Sequence, residues 1–187
     1  MRIILAMSLV SLVVGAGVAQ ADTYISVGVG SDAILGGDLD AFRTDDSTSG
    51  RLGLGFRTGG FAIEAVGFGT GLQPASGVAA GGSGARSLSL GVDLKYHVAI
   101  LLGLEGYGRA GLHKSWLNAS KADPNASDFE GSGSVFGLGL AYCFPTPVIS
   151  ASVWLDYGHQ TVDLRDAVER TMSGTVDMVL IGVSVGI

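Results

Sequence analysis

The chain is poor in the residues that most activities draw on. It has one cysteine in 187 residues, which excludes an intramolecular disulfide and any cysteine-based metal cluster. Charged residues make up only 15%, against about 25% in ordinary globular chains. Basic residues are the scarcer sign, 11 Lys and Arg against 17 Asp and Glu; the net charge of −6 argues against a nucleic-acid partner, which requires a basic face. Beyond the first twenty or so residues no apolar run reaches the 18–20 positions that a membrane-spanning helix needs. No loop carries the Asp-x-Asp-x-Asp-Gly spacing of a calcium site. What is abundant is glycine, 31 residues without a collagen-like period, among plentiful Val, Ile and Leu that exclude intrinsic disorder.

Met1–Ala21 has the three parts of a secretory signal. Arg2 precedes an apolar stretch from Ile3 to Val18, and Ala19-Gln20-Ala21 supplies a small-x-small cleavage pattern. Ser8, Ser11, Gly15 and Gly17 interrupt the stretch, which favours a cleaved signal over a retained anchor. The expected organisation is therefore a signal peptide over residues 1–21 and one β-barrel domain over 22–187.

From Asp22 onward the pattern is alternation. In Ser87–Val98, Leu88, Leu90, Val92, Leu94, Tyr96 and Val98 fall on one face, with Ser87, Ser89, Gly91, Asp93, Lys95 and His97 on the other. A period of two is a strand with one apolar and one polar face. The same reading gives strands over Tyr24–Gly30, Arg51–Arg57, Phe61–Gly69, Leu102–Trp116, Ser132–Phe144, Val148–Gln160 and Val176–Ile187, eight in all. Thr58–Gly60, Ala99–Leu101 and Pro145–Pro147 read as short turns; Ser31–Gly50, Thr70–Arg86, Leu117–Gly131 and Thr161–Thr175 read as long loops. An even strand count with short and long connections in alternation predicts an all-β fold, an eight-stranded antiparallel transmembrane barrel.

The apolar face should meet lipid. Phe56, Phe61, Tyr96, Tyr142 and Phe144 gather near the short turns, where an aromatic girdle belongs, and Trp116 and Phe136 suit an upper one. On the polar face Arg51, Arg57, Lys95 and Arg109 match Glu64, Asp93, Glu105 and Asp156, four of each sign. Charges inside a narrow barrel must pair, so these eight are expected to form an ion-pair network filling the lumen. Glycines 28, 53, 55, 91, 137, 139, 182 and 186 share that face and would leave room for long side chains.

Signal, strands and rhythm of connections resemble the small OmpA/OmpX-like outer-membrane β-barrel family of Gram-negative bacteria, over the whole chain after residue 21. The last strand resembles that family's assembly signal through Gly182, Val185 and Ile187, with an aliphatic Ile187 where an aromatic is usual. The resemblance implies export to the outer membrane, insertion by the barrel-assembly machinery, contact with lipid and lipopolysaccharide, and no cofactor. A monomer is expected, with a loop partner that the residues do not name.

Three local features remain. Three of the long loops, Ser31–Gly50, Leu117–Gly131 and Thr161–Thr175, hold eleven acids and four bases, an acidic crown. Lys114, Trp116 and Arg86 sit on the lipid face near the outer rim, placed to contact lipopolysaccharide phosphates. His113-Lys114-Ser115 contains the His-x-Ser pair that lipid A deacylases place on such barrels, yet its parity points both side chains into the lumen, and no Asn follows Ser115 directly. No catalytic or metal site is therefore expected. His97 and Cys143 belong to the lumen face, His159 to the apolar one. The leading expectation is a non-enzymatic envelope or surface-interaction protein. A small passive pore, a lipid A-modifying enzyme and a soluble secreted barrel are the alternatives.

Overall fold

The computed structural model describes residues 21–31, 33–43, 48–74, 85–118, 128–144 and 149–186. Residues 1–20, which carry the expected export signal, lie outside them, as do Pro145–Pro147 and Ile187. Eight long strands follow one another: β1 (Ala21–Ser31), β2 (Thr48–Thr58), β3 (Phe61–Pro74), β4 (Ala85–Leu101), β5 (Leu104–Asn118), β6 (Phe129–Phe144), β7 (Ser150–Asp166) and β8 (Thr171–Gly186). Each pairs antiparallel with its chain neighbour, and β8 returns to β1 through Tyr24↔Gly186 to Val29↔Ile181, closing the ring. Closure leaves no edge among these strands, as a structure in hydrocarbon requires, where no water can satisfy an unpaired backbone group.

Sidedness follows from parity. Leu90, Val153 and Ile181 point outward and are 50%, 37% and 55% exposed, whereas the polar Glu64 and Asp93 are fully buried. A water-soluble barrel would show the reverse, because its core is apolar and its exterior wet. An outer surface of Ile, Leu, Val and Phe around a charged interior is the membrane form. No helix among the described residues is long and apolar enough to cross a membrane; this barrel crosses with strands.

Three connections depart from the pattern read off the sequence. Ala99–Leu101 is strand, not turn: β4 runs to Leu101 through an irregularity between Ala99 and Leu101, and the turn falls at Leu102-Gly103. Gly103 takes φ 77°, a left-handed conformation that the β-branched Ile100 would resist. At the first turn Gly59 likewise has φ 59°. Second, Thr161–Thr175 is mostly sheet. β7 and β8 remain paired out to Arg165↔Thr171, and the remaining tip is held by Asp166. Burial works to raise the Asp166 carboxyl, but the Arg170 backbone N–H, the Arg170 guanidinium and the Val168 N–H all donate to it and hold it below the usual carboxylate range.

Third, residues 33–43, within the expected Ser31–Gly50 loop, fold back over the outer mouth. The strand Ile34–Gly37 pairs with the outer end of β8, and a short 3-10 turn (Asp38–Ala41) follows, whose Asp38 carboxylate accepts the Ser173 N–H at 2.8 Å. The turn drops Leu39 into a cluster with Leu117, Val162 and Leu164, where it is 3% exposed. An apolar plug thus closes the top of a lumen that parity predicted to be polar.

Candidate functional site

Inside the barrel the strand register sets like charges side by side. Glu64 lies opposite Asp93, and Lys95 opposite Arg109. Direct cross-strand neighbours of one sign repel, so the ion pairs form on diagonals and across intervening strands. Arg51 donates to Glu64 at 2.7 Å and lies 3.6 Å from Asp93. Lys95 also pairs with Glu64, whose other oxygen accepts the Ser26 hydroxyl. Arg109 is the hub, reaching Asp93 at 2.9 Å and Asp156 at 2.7 Å with its side chain fully buried. His113 Nε2 lies 3.0 Å from the second oxygen of Asp93.

The β5-to-β7 reach of Arg109 passes over β6, and glycine makes it feasible. A Cβ at Gly137 would stand 2.7 Å from Arg109 Nε, and one at Gly158 would collide with its Nη2. Gly53 similarly clears Glu64 and Ser26. Lumen glycine is the space that the long ionic side chains occupy, because eight strands enclose little more than side-chain volume.

The eight charged residues expected in the lumen fall into two groups. Arg51, Glu64, Asp93, Lys95, Arg109 and Asp156 form the buried layer. Arg57 and Glu105 form a separate half-buried pair near the short turns, bidentate at 2.8 and 2.9 Å, with His97 Nδ1 3.2 Å from Glu105. The buried layer also leans on an apolar wall that the alternation analysis passed over. Val66, Phe68, Tyr107, Trp154, Met178 and Leu180 are buried together. The Arg51 guanidinium sits 5.5 Å from the Trp154 ring and 5.6 Å from Phe68, and Arg109 lies 5.6 Å from Phe68, contacts in which a ring face partly replaces lost solvation. Trp154, Phe68 and Leu180 follow lumen parity, so a strict count of positions would have found them.

Little space remains around this layer. Above it, toward the Leu39 plug, is a cavity of about 30 Å³ lined by Ser89, Ser115, Gln160 and Met178. Below it is one of about 110 Å³ lined by Tyr24, Arg57, His97, Tyr107, Cys143 and Trp154.

The His-x-Ser pair does not assemble. His113 faces Asp93 and stacks on Phe68 at 5.1 Å, while the Ser115 hydroxyl bonds Ser89 at 2.7 Å and Gln160 at 3.3 Å. Both side chains are buried in the lumen. No grouping of three or more metal-ligating side chains occurs among the described residues.

On the outer face, the Lys114 ammonium stands 5.3 Å from the Trp116 ring and 3.4 Å from Glu130, all near the outer rim. Glu130, counted from the sequence among the loop acids, lies in strand β6 instead and is the register partner of Trp116. Arg86 is exposed one outward step above Leu88, which is itself opposite Trp116. A second outward cluster was also missed: Asp177, on the lipid-facing parity of β8, accepts from Tyr157 Oη and from His159 Nδ1, both at 2.7 Å.

A family model described as "Outer membrane protein beta-barrel domain" matches residues 3–186. The chain belongs to this family. Outer-membrane β-barrels of this kind lie beside lipid and lipopolysaccharide, which accounts for the apolar exterior of the barrel. Among solved structures it is similar to Neisserial surface protein A, at 16% identity, with 89% of this chain covering 98% of that one and a TM-score of 0.60. It is also similar to Ail, the attachment invasion locus protein of Yersinia pestis (13% identity, 90% and 99% covered, TM-score 0.53), and to the outer membrane protein OprG of Pseudomonas aeruginosa (13%, 91% and 98%, 0.52). At these identities the likeness is one of fold. No curated protein matches the sequence.

Proposed function

We propose that this outer-membrane barrel is a closed, non-enzymatic envelope protein, exported by the signal over residues 1–21, whose outer rim and loops make its working contacts. One observation carries the reading: the lumen is filled by paired charges under an apolar plug, with Arg109, Asp93, Glu64 and Asp156 at 0–1% side-chain exposure. A conducting pore needs a continuous wet path, and charges that face water need no such pairing. The names of the surface and attachment proteins that share the fold fit a role at the cell surface. The full chain reconstituted in planar bilayers should give no steady conductance. Steady single-channel steps that change when Glu105 or Arg109 is neutralised would establish the pore instead.

The rim contact proposed for Arg86, Lys114 and Trp116 is with lipopolysaccharide phosphates. Lys114 is paired with Glu130, whereas Arg86 has no acidic partner among the described residues, so Arg86 is expected to carry the larger share of the contact. Replacing Arg86 and Lys114 together by alanine should lower the lipopolysaccharide co-purifying in mild detergent several-fold, and the loss should shrink as salt rises, because exposed charges are screened beyond about 10 Å at 0.1 M. Equal amounts from both proteins would reject the contact.

A further inference from the structure

Among the described residues the lipid-facing surface carries an open apolar groove and a part-exposed polar cluster, and they adjoin. On β5 the outward positions Gly106, Gly108 and Ala110 have almost no side chain. The ridges on either side are Leu94, Tyr96 and Val98 of β4 and Phe136 and Leu138 of β6. Together they form an outward groove of about 1070 Å³. Two positions of its lining, Tyr157 and His159 on β7, belong to the Asp177 cluster, so one end of the apolar groove is bounded by a phenol and an imidazole that both bond the neighbouring Asp177 carboxylate.

Both features ask for an occupant. Ionisable groups that face hydrocarbon are expensive and mark sites. The bonds from Tyr157 and His159 to Asp177 both fall on Oδ1, which leaves Oδ2 as an acceptor, and His159 uses Nδ1, which leaves Nε2. The cluster stands at the register height of Phe136, the upper girdle, eight positions along β7 from Ala151, which pairs with Phe144 of the lower one. A strand crosses the membrane in about 9–11 residues, so the cluster lies at the outer-leaflet boundary between acyl chains and head groups. A carboxylate oxygen can only accept. At that depth a glycerophospholipid offers ester carbonyls, which are acceptors too, whereas an acylated sugar lipid offers amide N–H and hydroxyl donors.

We propose that the groove over Gly106, Gly108 and Ala110 binds an acyl chain of an outer-leaflet glycolipid, lipopolysaccharide, whose amide or hydroxyl donors are held by Asp177 and His159. This site is distinct from the phosphate contact at Arg86 and Lys114. It does not rest on the closed-lumen reading.

The test uses the full chain, extracted in mild detergent after reconstitution with phosphatidylcholine vesicles containing lipopolysaccharide, with bound lipid counted by fatty-acid analysis. Gly108→Leu fills the groove; a Cβ at Gly108 meets only Leu138 Cδ2 at 3.7 Å and a carbonyl at 4.0 Å, so the barrel has room for it. Asp177→Val removes the acceptor with a strand-forming residue. Each should cut retained lipopolysaccharide at least five-fold while phosphatidylcholine is unchanged and the boiled and unboiled gel mobilities stay distinct. The same loss should appear in an Arg86→Ala/Lys114→Ala background, which separates the groove from the rim contact. Should Gly108→Leu not fold, Ala110→Leu projects into the same groove and replaces it. Parent-like lipopolysaccharide retention in the variants overturns the proposal. So does an equal loss of both lipids, which would make the groove an unselective acyl cleft.

Discussion

Replacing Arg109 by methionine is expected to destabilise the folded barrel by about 3–5 kcal/mol, the cost of leaving buried partners without their counter-charge. The reason is local. Arg109 donates to Asp93 through one terminal nitrogen and to Asp156 through Nε and the other, and all three side chains are closed to solvent. Asp93 keeps His113 at 3.0 Å and a longer contact with Arg51, whereas Arg109 makes the only direct ion pair of Asp156 among the described residues, with Lys95 acting on it from farther off. Adding Asp156→Asn to Arg109→Met should therefore recover part of the loss, since the orphaned carboxylate is then neutral. Arg109→Lys should fall between, because a single ammonium cannot serve two carboxylates in the forked geometry of guanidinium. Urea unfolding in vesicles, followed by tryptophan fluorescence, measures all three. A single-variant loss below about 1 kcal/mol would mean that the pairs only break even against their desolvation.

The second large effect is steric. A Cβ at Gly182 would run into the Trp154 ring and the Val27 carbonyl, the latter a backbone atom that cannot rotate away. Gly182→Val is expected at the top of the range of about 1–3 kcal/mol for overpacked cores, or to abolish folding. Gly50→Val is the control, since a Cβ there meets nothing within 4 Å, and it should stay within about 0.5 kcal/mol. The readout is the fraction of protein that keeps its distinct unboiled gel mobility. If the two valine variants behave alike, lumen glycines are not spacers for Trp154.

The contrast between these glycines shows how far a one-dimensional reading carries. Alternation in Ser87–Val98 and its counterparts sufficed to place Leu90, Val153 and Ile181 outward and Asp93, Lys95 and Arg109 inward, because a period of two is a local property of extended backbone. Lipid on the outside then followed from which face was apolar. Parity applied without exception would also have placed Trp154 and Phe68 in the lumen and Asp177 on the lipid face; they were passed over because one apolar residue on a polar face, or one acid on an apolar face, looks like noise in a single strand.

Turn positions were legible only where glycine was looked for: Gly103, at φ 77°, marks the second turn two residues beyond the apolar Ala99–Leu101. How far β7 and β8 stay paired past the membrane was hidden, because Thr, Val and Leu from 161 to 164 are compatible with loop or strand until a partner strand is known.

By itself, then, the order of residues determined the strand count, the two faces of each strand, the equality of opposite charges on the inner one and the solvent of the outer one. It did not determine who pairs with whom. Glu64 with Arg51 and Lys95, Arg109 with Asp93 and Asp156, Leu39 over the mouth, and the groove of β5 reaching Tyr157 and His159 are all decided by ring closure and register. Those contacts join residues on different strands, 13 or more positions apart. Only a closed sheet, with a fixed stagger between its strands, brings them to one height.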